Sequence, residues 1–223
     1  AAGFPEAVFI LDGSGSMQLV PEPALRRRFP LTWKYLSDNK EYLEEREEGR
    51  MRGTGWYAFG RTQALDVIGL PKLFTPDLAA RASFSLDAGG EQFFTGGAAG
   101  GYGILVAEGH DRVYVLTLLN SRLLEWFIRQ TAPRLRGGSF SFEARFIRQL
   151  PIRVIDPARS GEKKAHDDVT RLAQEMLTLK STKLRARTPH ESTQLARQID
   201  ATDRQIDRIV YGLYGLTPDQ VKL

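Results

Sequence analysis

The sequence predicts an α+β fold: a small twisted, mostly antiparallel sheet with short helices, followed by a C-terminal helical hairpin. Three observations carry this. Short apolar runs at residues 71–74, 82–86, 92–95 and 104–107 are bounded by turn-forming residues, the pattern of short strands. Between Tyr114 and Arg129, apolar residues recur at steps of three and four, the pattern of helix. After Ile155, two long apolar stripes are separated by one break, which suggests two antiparallel helices burying a shared seam. Residues 1–155 are therefore read as one domain and residues 156–223 as a helical arm.

Composition bounds the class. A chain of 223 residues can bury a core of its own, and 42% hydrophobic with 26% charged residues is ordinary for a soluble domain. No apolar run is long enough to span a bilayer, and no secretory leader is visible. The absence of cysteine excludes disulfides and thiolate metal sites and suits a reducing cytoplasm. His110, His166 and His190 have no ligand spacing, so no metal is expected. A net charge of +4 and a pI near 9.4 hint at a polyanionic partner. The opening Ala1-Ala2-Gly3, without methionine, suits a piece cut from a longer polypeptide.

Taken in order, residues 7–20 read as a hairpin around Asp12-Gly13. Asp12, Ser14 and Ser16 also match the metal-ion-dependent adhesion site of von Willebrand A domains. That site needs a helix directly after the loop, and Pro21 and Pro23 oppose one. Residues 24–28 end in three arginines, a solvated helix end or a phosphate contact. Residues 31–50 read as a helix with Trp33, Leu36 and Leu43 on its apolar side. Residues 53–63 read as an aromatic strand with Trp56 and Phe59 facing opposite ways. Arg61 and Gln63 then share one strand face. Arginine suits guanine and glutamine suits adenine in the major groove, although an exposed polar face has the same spacing. Residues 96–103 form a small-residue loop in which Tyr102 is a stacking or packing anchor, and Asp111 is placed to cap the next helix.

Residues 114–152 organise the chain. Leu116, Leu119, Leu123 and Phe127 share one helix face, with a pause at Asn120-Ser121. Pro133 opens a basic glycine loop, Arg134-Leu135-Arg136-Gly137-Gly138, freed by its glycines to approach a phosphate backbone. From Arg112 to Arg153 there are eight arginines, no lysine and two acids, a local balance of +6. Arginine presents a planar fork of donors that lysine lacks. After a linker at residues 156–161, helices are expected at 162–187 and 191–213. Their stripes are Val169, Leu172, Met176, Leu179 and Leu195, Ile199, Ile206, Ile209, Leu213. With twelve basic and ten acidic residues, the arm is nearly neutral, which favours packing over nucleic-acid binding. Asp200, Asp203 and Asp207 read as solvated, ion-paired positions, and residues 211–216 as a segment that docks back.

The order LLNS, amphipathic helix, arginine-glycine loop, aromatic, QLPI resembles the target-recognition domains of adenine-N6 DNA methyltransferases. In particular it resembles the TaqI-like C-terminal specificity domain of fused, type II restriction-modification enzymes, and more distantly the specificity subunits of type I restriction systems. The likeness extends back to FPLTWKYLSDNKEYLEER and forward to the last helix. It implies sequence-specific recognition of double-stranded DNA, with Arg61 and Gln63 reading bases and Arg134 and Arg136 holding phosphates. Lys72 and Tyr102 complete the expected DNA-contact set. Enzymes of this kind surround the flipped adenine with an Asn/Asp-Pro-Pro-aromatic motif, and this chain has no Pro-Pro pair. Nor does it show a glycine fingerprint for a methyl donor or a nuclease cluster. The resemblance thus places catalysis and S-adenosylmethionine on an upstream methyltransferase domain of the same polypeptide, with no catalytic residue in this chain. The alternative is a protein-interaction module docking a partner subunit through the arm. An RNA-binding domain is a weaker rival.

Overall fold

The structure, a computed structural model, describes residues 19–58, 64, 66–93 and 100–222. The hairpin and the metal-site alternative expected before residue 19 lie outside these residues, as do Phe59, Arg61 and Gln63. The chain divides into two compact units, Ala1–Leu70 with Gly89–Phe93 and Pro71–Ala88 with Phe94–Leu223.

In the first unit a helix does form across the paired prolines, with Pro21 as its N-cap. α1 (Glu22–Arg28) begins at Glu22 with Pro23 in its first turn, where a missing N–H costs nothing. The single helix expected over residues 31–50 is instead three: α2 (Pro30–Asp38), α3 (Lys40–Glu44) and α4 (Arg46–Gly49). The breaks fall at Asn39 and Glu45, and within α4 Glu47 and Glu48 adopt left-handed φ of 51° and 61°, a conformation uncommon without glycine. Residues 53–58 are turns and not the expected strand, closed by Trp56 N–H to Gly53 O and Ala58 N–H to Gly55 O. An aromatic cluster organises them. Trp33, Trp56 and Tyr57 meet edge to face with centroids 5.6–6.0 Å apart. The Arg46 guanidinium donates to the carbonyls of Leu43, Trp56 and Ala58, tying the turns to the helices.

The second unit is built on β1 (Lys72–Pro76). It pairs antiparallel with β3 (Ser85–Asp87) on one side and β4 (Gly101–Ile104) on the other, giving the order β3-β1-β4. A second ladder joins β2 (Leu78–Ala79) to β5 (Phe140–Ser141). The small antiparallel sheet was legible, but its strands are shifted. The apolar run at 104–107 forms strand only up to Ile104, and Tyr102 lies in β4 and not in a loop. Gln92 and Phe93 are not strand. Gly101 is required, since a Cβ there would lie 2.5 Å from the Thr75 carbonyl oxygen.

Asp111 caps α5 (Arg112–Asn120), accepting from the Val113 and Tyr114 N–H groups at 2.7 and 3.3 Å. The pause at Asn120-Ser121 is real. Ser121 caps α6 (Arg122–Thr131), and Asn120 turns aside to clamp the Phe84 backbone, accepting its N–H at 3.0 Å and donating to its carbonyl at 2.9 Å. Because the helix restarts there, its phase shifts. Leu118, Leu124 and Ile128 reach full burial, while Leu123 and Phe127 of the expected stripe are only partly covered. After α7 (Ala144–Ile147), the hairpin α8 (Ser160–Leu184) and α9 (Pro189–Leu213) packs Val169, Leu172, Met176, Ile206 and Val210 into the same core as Leu118 and Phe142. Asp207 is not solvated. It is buried, accepts the Arg122 N–H at 3.0 Å and pairs with the Arg122 guanidinium at 3.2 Å. Tyr214 docks back as expected, donating to Pro151 O at 2.5 Å and accepting from Arg153 N–H at 3.2 Å. Among the described residues, no helix is long and apolar enough to cross a membrane.

Candidate nucleic-acid interface

The strip from Lys72 to Ala79 positions the site. Its first half pairs with β4, setting Thr75 opposite Tyr102. Its second half pairs with β5, setting Ala79 opposite Phe140. The basic loop folds back on this edge. Arg134 bridges to Phe140, Leu135 N–H donates to Ser139 O at 2.8 Å, and Gly138 N–H donates to Leu135 O at 3.2 Å. Gly137 and Gly138, at φ 82° and 79°, are both left-handed, so the loop is a tight turn that needs glycine twice.

Arginines line the edge, and most are held. Glu125, at 14% side-chain exposure, accepts from the Arg129 guanidinium at 2.6 Å and the Ala82 N–H at 3.2 Å, with Arg81 at 3.8 Å. Arg129 also donates to Ala80 O and lies over the Phe140 ring at 5.1 Å. Arg145 is gripped by both carboxylate oxygens of Glu143 at 3.0 Å and covers Phe146. Elsewhere Arg122 pairs with Asp207, Arg153 with Glu162, and Arg112 donates to Pro71 O. Of the seven arginine side chains described between Arg112 and Arg153, Arg112, Arg134 and Arg148 are exposed and carry no ion pair among the described residues, and of these Arg112 is tied to the Pro71 carbonyl. The local +6 therefore resolves into a frame of paired guanidinium groups around a few open ones. A paired guanidinium on an exposed edge still has donors facing outward, held in a fixed orientation.

Beside the arginine frame lies a buried carboxylate. Asp77 is 7% exposed, and its Oδ1 has no hydrogen-bond partner. Burial pushes its carboxyl upward, the Glu143 charge adds to this, and Arg145 opposes it. The Tyr102 hydroxyl is pushed upward by burial first and by Asp77 and Glu143 next, so Tyr102, Asp77, Glu143 and Arg145 share one electrostatic neighbourhood.

Of the residues singled out from the sequence, Tyr102 and Arg134 are brought to the two halves of this strip. Arg136 lies in the glycine turn. Arg61 and Gln63 fall outside the described residues. Lys72 requires correction as a DNA contact. Its ammonium is buried, 2.6 Å from Asp87, its cross-strand neighbour. It therefore has no outward face for a phosphate. Sequence reasoning passed over Arg81, Arg129, Arg145 and Asp77. The Glu125/Arg129 spacing of four was a readable signal for one of them. Among the described residues, no group of three or more His, Asp or Glu side chains could hold a metal ion.

No protein-family model matches the chain. A curated protein does: over 208 residues the chain is 25% identical to the type II restriction enzyme and methyltransferase RM.Eco57I of Escherichia coli. The match takes in 90% of this chain and 21% of that protein, so the chain spans about a fifth of its relative's length. This supports a relationship to restriction-modification enzymes.

Proposed function

We propose that the chain is a sequence-specific double-stranded DNA recognition module of a restriction-modification adenine-N6 methyltransferase. The observation that carries the reading is the edge formed by β2, β5 and the glycine turn. The open guanidinium of Arg134 there stands beside a framed set of paired ones, on a chain related to a restriction-modification enzyme along nine-tenths of its length. On this reading the edge sets the register on phosphates and a few side chains read base edges. A catalytic domain upstream in the same polypeptide, which would hold S-adenosylmethionine, acts on the flipped adenine. No step of the methyl transfer itself falls to the residues described here.

The test separates positioning from reading. Arg134→Ala should weaken cognate and random duplex alike and flatten log affinity against log salt by roughly 0.9. Arg61→Ala should cost about 1–3 kcal/mol on the cognate site and little on random duplex. Salt-insensitive binding, or equal competition by duplex RNA, would refute the assignment. A protein-interaction module predicts no salt-sensitive duplex binding at all.

A further inference from the structure

The near neutrality of the arm, residues 156–223, conceals an uneven distribution. Of its twelve cations, four lie at the tip, Lys180, Lys183, Arg185 and Arg187, and no acid occurs between Met176 and His190. The remaining length has eight cations against ten acids. The body pairs its charges, as in Lys163–Asp167 and Lys164–Asp168, both at 2.5 Å. All four tip cations are exposed, and none has an ion pair among the described residues. The nearest acid, Glu191, is engaged by the backbone. It accepts the Arg187 N–H at 3.1 Å, while the Thr188 hydroxyl accepts the Glu191 N–H at 3.2 Å as N-cap.

The tip also stands clear of the core. Burial in α8 ends at Met176 and in α9 resumes at Leu195. The eight residues after Met176, up to Leu184, extend the helix about 12 Å past its last buried side chain. Cations in the last turn of α8 complement the helix dipole, which accounts for Lys183. Arg185 and Arg187 lie beyond the helix, where that stabilisation fades.

We propose that this tip is a second DNA-contacting surface, which grips the phosphate backbone without reading bases. It rests on the reading of the chain as a duplex-binding module. Phosphate is favoured over an acidic protein surface because the tip has no aromatic anchor. Its one large exposed apolar residue is Leu184, at 89%, whereas protein interfaces centre on buried aromatic and apolar side chains.

The test is a quadruple variant, K180Q/K183Q/R185Q/R187Q, titrated with mixed-sequence duplex DNA over a range of salt. Since the four side chains are exposed, its thermal melt should match that of the parent. Duplex affinity at low salt should fall about tenfold or more, and the salt slope should drop by roughly 0.9 for each phosphate the variant no longer neutralises. Because the chain has no cysteine, Leu184→Cys offers a single attachment point for a photo-crosslinker, which should yield DNA adducts. Undiminished duplex binding by the quadruple variant overturns the proposal while leaving the module's DNA reading intact. So does a change of slope without adducts, which would mean a long-range field and not contact. Loss of poly-glutamate binding with duplex binding unchanged would reassign the tip to an acidic protein. If the parent chain binds no duplex, both this proposal and the reading beneath it fall.

Discussion

Lys72 and Asp77 occupy opposite ends of one short stretch and show how context assigns a charge its role. Lys72 faces Asp87 across the β1–β3 ladder with both side chains 3% exposed. Removing the ammonium breaks a buried ion pair, a loss of about 3–5 kcal/mol. Lys72→Ala is therefore expected to lower the melting temperature sharply and leave the salt slope of DNA binding unchanged. A flattened slope with unchanged stability would restore Lys72 to the DNA-contact set. Asp77 has the opposite problem, a carboxylate buried without a partner for Oδ1. Its folded carboxyl is raised above the ordinary aspartate range, mainly by burial. The stability it contributes is fully present below that range and is lost as pH rises through the raised value. Asp77→Asn removes this titration. The melting temperature of the variant minus that of the parent should grow more positive between acid and neutral pH. A flat difference would show that the carboxylate is stabilised in a way the geometry does not provide.

At the scale of elements, the segments that carry the sequence likeness prove to be largely scaffold. Asn120 in LLNS holds the Phe84 backbone as a neighbouring strand would. The carbonyl of Pro151 in QLPI accepts from Tyr214 at the end of α9, and Tyr114 of α5 donates to Arg153 O at 2.9 Å. Asn120→Ala strands both backbone groups of Phe84 and should cost about 2 kcal/mol of stability, measured by denaturant unfolding. A neutral effect would mean that water or another donor replaces the amide. Helices were legible because periodicity, Asp111 and the Thr188-Pro189 break are local signals. The strands were displaced because β4 is defined by what Gly101 approaches, the Thr75 carbonyl, and nothing in its own sequence marks that partner. The helix over residues 31–50 failed as one piece because it breaks at Asn39 and Glu45, where no glycine or proline announces a stop. Of the candidate residues, the place of Arg134 beside a tight turn was legible from its glycines. Asp77 was not, since its burial depends on β4 and β5, distant in sequence.

For the whole molecule, two sources of positive charge stand behind a sequence total of +4 that blurs them together. One is the framed edge at β2 and β5, where Glu125 holds Arg129 and Glu143 holds Arg145 while Arg134 stands open. The other is the unpaired tip of the α8–α9 hairpin. On the function proposed above, the edge would set register and the tip would add phosphate contact, together giving the module its affinity. Specificity must come from side chains at base edges. The central claim is thus that this chain selects a particular duplex sequence, and the most direct measurement is repeated selection from a pool of randomised duplex DNA by the chain alone. The expected result is convergence on one short fixed motif, with an affinity for it that exceeds that for the starting pool and falls as salt rises. A pool that stays random through selection, whether or not the chain binds it, would contradict the claim.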